Sequence, residues 1–175
     1  GSFRIGIHIA APALGILPGS QLDQIAAKRL STVYLPGKKV TMLPNEVIQH
    51  FTLAEAVYSP ALSLYLDVSD DFTVMTRQSK IEMIQVVANL RHDSLEQLFN
   101  EETLRKKIID YPFAKELGLL WNFAKKMEAL RGKENDINNE KIDYSFLVDG
   151  EQVSIQERRR GSPIDKVVSE LMIYI

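Results

Sequence analysis

The sequence predicts an α+β fold in which mixed and antiparallel strands pack against helices. Three observations carry this prediction. Strand-like stretches meet at Ser69-Asp70-Asp71 and again at Asp149-Gly150, and both junctions have hairpin turn chemistry. Phe113 to Leu130 sets Phe113, Leu117, Leu120, Ala124 and Met127 on one stripe, with lysines and glutamates opposite. A further amphipathic helix starts at Pro163, with Ile164, Val167, Val168, Leu171, Met172 and Ile175 as its apolar positions.

The remaining elements follow in order. Phe3 to Ala10 is partly alternating and rich in β-branched residues, so it reads as a strand. Pro12, Gly15, Pro18 and Gly19 make a loop. Ser20 then caps a helix over Leu22 to Leu30, with Asp23 completing a weak capping box. Thr32 to Leu35 is short and extended and is stopped by Pro36-Gly37. Pro44 suits a first helical position and opens a turn ending near His50. Ala61 to Val68 and Phe72 to Gln85 form the first hairpin. Asp93 to Phe99 and Glu101 to Asp110 are helical candidates. Gly132 to Lys141 is a polar loop, and Tyr144 to Val148 with Gln152 to Gln156 form the second hairpin. The closing apolar run Leu171 to Ile175 has neither a glycine stop nor a basic last turn, which predicts a helix that continues beyond it.

Composition narrows the functional classes. The chain has 175 residues, 45% hydrophobic and 25% charged, which suits one globular unit and argues against disorder. No apolar run reaches the roughly 20 residues that span a bilayer, so no membrane association is expected. The absence of cysteine removes disulfide-linked partners, thiolate metal sites and cysteine nucleophiles, and fits a cytoplasmic protein. With a net charge of −2, any nucleic-acid contact must come from local basic clusters.

Six short segments then fall in a recognisable order: Gly6-Ile7-His8-Ile9-Ala10, Leu22-Asp23, Tyr34-Leu35-Pro36-Gly37, Met42-Leu43-Pro44, Ser63-Leu64 and Glu170-Leu171-Met172-Ile173. Together they resemble the catalytic (RNB-type) domain of the ribonuclease II family, which includes ribonuclease R. The resemblance implies a 3′→5′ exoribonuclease that hydrolyses single-stranded RNA to nucleoside 5′-monophosphates with a divalent ion, usually Mg2+. It also implies that residues 1–175 are a single partial domain, the middle of the catalytic unit. The family's aspartate-rich motif would precede it and an arginine-bearing segment would follow. No catalytic residue is therefore expected within the chain, which alone should be inactive. The alternative is a non-catalytic RNA-binding or scaffold domain derived from the nuclease fold.

The carboxylates that are present do not substitute for that motif. Asp70-Asp71 reads as a solvated turn, Glu101-Glu102 as acids at a helix start, and Asp136, Glu140 and Asp143 as surface. No metal site is expected. For RNA contact the resemblance singles out Tyr34, whose ring would stack on a base. Spacing alone favours a core-edge tyrosine, and the resemblance reverses that order. His92 stands where the family has a tyrosine reading the ribose 2′-hydroxyl. Ser169 stands where it has the first of two adjacent glutamates, with Glu170 as the second. Ala11 replaces a frequent aspartate, and the family's aromatic clamp partner has no counterpart between Trp121 and Tyr144 other than Phe123. These departures point to a divergent subfamily with altered sugar recognition. Arg158, Arg159 and Arg160 precede a helix start and read equally well as a phosphate site with free backbone N–H groups or as a solvated basic loop.

Overall fold

A computed structural model describes residues 1–133, 142–150, 152–159 and 161–175. The main sheet has the order β1-β4-β5, from β1 (Ser2–Ala10), β4 (Tyr58–Ser69) and β5 (Val74–Gln85), all antiparallel. β1 aligns Ile5 with Leu66 and Ile7 with Leu64. Period-two alternation thereby turns Ile5, Ile7, Leu66 and Val68 to one face. That face is covered by α5 (Ala114–Leu130), whose Phe123 and Met127 complete the core. Burying a residue such as Leu66, Val68 or Phe123 contributes roughly 1.5–3 kcal/mol. The hairpin turn at Ser69-Asp70-Asp71 forms as expected, but β5 starts at Val74, not Phe72. The Ser69 N–H donates to Thr73 O at 3.0 Å, and Phe72 takes a positive φ of 63°. Its ring then packs edge-on against Phe3, 5.5 Å between centroids, instead of joining the ladder.

The opposite face of the sheet is polar. Arg4 donates to Asp67, Tyr65 Oη and Lys80 Nζ both reach Glu82 at 2.7 Å, and His8 Nδ1 meets Ser63 Oγ at 2.7 Å. The Lys80 and Tyr65 hydrogen bonds hold the Glu82 carboxyl down at about 2. Burial pushes the His8 imidazole below its ordinary value.

A second core lies among the helices. Leu95 and Phe99 from around α3 (His92–Leu98) pack with Leu117 and Ala124 of α5 and Val167 of α6 (Pro163–Tyr174). Between α3 and α5, α4 (Glu101–Arg105) has a full capping box from Asn100 and Thr103. It stops well short of Asp110, because Lys107 takes a positive φ of 53°. α1 (Gln21–Arg29) starts as expected, with the Ser20 hydroxyl accepting from Asp23 N. α2 (Asn45–Phe51) uses Pro44 as its cap rather than its first helical residue.

Two small hairpins complete the fold. One pairs β2 (Val33–Leu35) with β3 (Lys38–Val40), the latter a strand that the sequence reading did not contain. The other pairs β6 (Ile142–Asp149) with β7 (Gln152–Arg159) around the expected Asp149-Gly150 turn. Among the described residues no helix is long and apolar enough to cross a membrane.

Candidate nucleic-acid interface

Tyr34 sits in the middle of β2, directly opposite Lys39 of β3, and is 79% exposed. A tyrosine filling a core edge would bury its ring; this ring offers its faces to solvent, as base stacking requires. The hairpin is placed by its turn. Gly37 has φ +66°, and a Cβ there would lie 3.2 Å from a Val148 methyl of β6, so the β2–β3 tip rests on the other hairpin. Only glycine accommodates both conditions without cost.

His92 opens α3 and is drawn to α6. Its Nε2 lies 3.0 Å from Asp165 Oδ1 and its Nδ1 3.3 Å from Glu96 Oε1, with all three side chains partly buried. Ser169 lies one turn beyond Asp165 on α6 and is exposed. Sequence reading missed Glu96 and Asp165. Two signals were available: the i,i+4 spacing of His92 and Glu96, and the Ser162-x-x-Asp165 capping pattern.

Glu170 goes elsewhere. It is only 6% exposed and pairs with Arg131, just past the end of α5; its other carboxylate oxygen is buried without a hydrogen-bond partner among the described residues. Lys166, one turn earlier, reaches Glu128 at 3.4 Å. Glu170 therefore clasps α5 to α6.

Arg158 and Arg159 end β7 opposite Asp143 and Ile142, and Arg160 lies outside the described residues. Two N–H groups at the following helix start, where free ones were expected, are occupied by the chain's own residues. The Asp165 N–H donates to Ser162 Oγ, Gly161 N–H donates to Asp165 Oδ2, and Pro163 has no N–H. The helix start is capped by its own residues, and Asp165 places negative charge where a phosphate would approach.

His92, Glu96 and Asp165 do bring three potential ligand atoms within 4.8 Å of one another, a clustering the sequence reading did not foresee. The donor set does not suit magnesium, which demands near-octahedral oxygen ligation. One donor is an imidazole, and Asp165 already spends its second oxygen on the helix cap. The cluster is better described as a polar triad joining α3 to α6. Asp70-Asp71 stays in its turn, where Asp71 bonds Thr73 Oγ1 at 2.8 Å.

The family model described as RNB domain matches residues 1–175, the whole chain. The chain belongs to the RNB domain family. It is 28% identical over 177 residues to Exoribonuclease 2 of Vibrio vulnificus (strain YJ016), covering 99% of this chain but 26% of that protein. The chain thus spans about a quarter of the length of the curated relatives it matches. In structure it superposes on Mycoplasma genitalium RNase R in complex with ribose methylated single-stranded RNA, with TM-score 0.76 at 19% identity over 98% of this chain and 27% of that one. That likeness bears on the fold alone. It is also similar to yeast Ssd1, a pseudonuclease, with TM-score 0.61 at 25% identity over 75% of this chain and 15% of that one. The α+β fold of the RNB exoribonucleases is therefore the fold of this chain.

Proposed function

We propose that residues 1–175 form the middle of the catalytic domain of a 3′→5′ exoribonuclease that hydrolyses single-stranded RNA to nucleoside 5′-monophosphates. The observation that carries this reading is the RNB match along the whole chain. The solvent-facing ring of Tyr34 agrees with it. RNB exoribonucleases are metal-dependent, and Mg2+ is the ion proposed for the whole protein. Following the resemblance, its carboxylates are assigned to the aspartate-rich motif expected to precede these residues; among the described residues the one candidate cluster includes an imidazole. Within the chain, Tyr34 stacks on a base and the α3–α6 seam around His92 and Ser169 lies beside the sugar. Arg158, Arg159 and Arg160 supply positive charge.

The test uses labelled single-stranded oligoadenylate with Mg2+. The 175-residue chain should bind it but release no mononucleotide, whereas the whole protein should release nucleoside 5′-monophosphates from the 3′ end. Mononucleotide release by the chain alone would overturn the assignment of the acids. A second reading, a non-catalytic RNA-binding module, is favoured by Ala11, His92 and Ser169 standing where the family has catalytic-domain residues of other types, and by the likeness to a pseudonuclease. Binding without any turnover by the whole protein would select it.

A further inference from the structure

From Asp23 to Glu46 the chain carries no acidic residue between the two, yet it holds Lys28, Arg29, Lys38 and Lys39 in a protein of net charge −2. This is the stretch that builds the β2–β3 hairpin. Arg29 is committed to the base of the hairpin, donating to Thr41 O at 2.9 Å. Lys38 and Lys39 are exposed, and neither forms an ion pair with a described residue.

The register separates the two lysines. Tyr34 faces Lys39 directly across the ladder, while Leu35 faces Lys38. Directly opposed residues in an antiparallel pair project from the same face, and neighbours along a strand project from opposite faces. Lys39 therefore shares the Tyr34 face and Lys38 lies on the other. A strand of nucleic acid stacked on the ring would run its phosphates within reach of an ammonium about 5 Å away at Cβ.

We propose that Lys39 binds a backbone phosphate of the single strand whose base stacks on Tyr34, so that ring and ammonium form one two-point contact. The inference rests on the RNA-binding reading above and adds to it a specific electrostatic partner. Lys38, of equal charge and adjacent in sequence, is the built-in control.

The experiment measures the affinity of labelled single-stranded oligoadenylate for the 175-residue chain from 50 to 200 mM salt, for the unaltered protein and for Tyr34→Ala, Lys38→Ala and Lys39→Ala. Each phosphate-bound cation contributes about 0.7 to the slope of log K against log salt on single strands. Lys39→Ala should reduce the slope by about 0.7, so that the loss of affinity across this fourfold salt range shrinks by about 2.6-fold. Lys38→Ala should leave the slope unchanged, and Tyr34→Ala should weaken binding at every salt concentration with the slope intact. Equal slopes for Lys38→Ala and Lys39→Ala would overturn the two-point contact while leaving the function standing, provided Tyr34→Ala still weakens binding. Absence of binding by the unaltered chain would overturn both.

Discussion

Removing Arg131 should destabilise this protein far more than removing its partner Glu170, although the two form one ion pair. The side chains differ in exposure: 8% for Glu170 against 37% for Arg131. Arg131→Met leaves a carboxylate buried between α5 and α6 with no counter-charge and with one oxygen already unpartnered. Stranding a buried charge in this way costs about 3–5 kcal/mol. Glu170→Met leaves a guanidinium that swings into water, and a flexible apolar side chain fills the vacated space, so the cost should be about 1 kcal/mol or less. The double variant should resemble Glu170→Met, which gives a coupling of about 3–5 kcal/mol, the whole of the Arg131→Met loss. For a chain of this size each kcal/mol moves Tm by about 2–4 °C, so Arg131→Met should lower it by about 6–20 °C. Urea unfolding of the four proteins, followed by circular dichroism, measures the cycle. Equal and additive losses would refute the clasp and return Glu170 to the candidates for RNA contact.

Acid should unfold the protein partly through Glu82. Its folded-state carboxyl is held at about 2, below the ordinary carboxylate value, so the unfolded chain binds the proton more readily. The stabilisation is complete above the unfolded value and is lost as pH falls toward 2. Glu82→Gln should flatten the acid limb of a plot of urea midpoint against pH, and an unchanged limb would contradict this. Gly37→Ala should destabilise by about 1–2 kcal/mol, because an L-residue at positive φ is strained and its methyl would press on Val148. A urea midpoint equal to that of the unaltered chain would show that the hairpin tip does not rest there.

Local chemistry was legible and distant pairing was not. Ser20 and Ser162 cap the helices they were expected to cap, and both hairpin turns fall at the foreseen residues, because each of these features is decided within a few positions. The strand Lys38–Val40 was missed because three residues after a Pro-Gly turn carry no periodicity to read. The alignment of β1 with β4 spans more than 50 residues, and no local pattern encodes it. The burial of Glu170 was not legible for a related reason. A charged residue on a helix is ordinarily solvated, and the guanidinium that permits its burial lies 39 positions away in sequence. Apolar Val168 and Met172, expected to face a core, are exposed, while Glu170 takes a buried position on the same helix.

The triad of His92, Glu96 and Asp165 also constrains what His92 can do. Both ring nitrogens already lie within ion-pair distance of a carboxylate, Nε2 of Asp165 and Nδ1 of Glu96. A ribose hydroxyl bonding to this imidazole must displace one of those contacts, and a displaced Asp165 would also loosen the cap it forms with Gly161. A tyrosine in the same position would bring one hydroxyl and no such commitments. With histidine here, the side chain ties α3 to α6 through Glu96 and Asp165. On the RNA-binding reading proposed above, contact with single strands then rests on the exposed β2–β3 hairpin, where Tyr34 and Lys39 share a face.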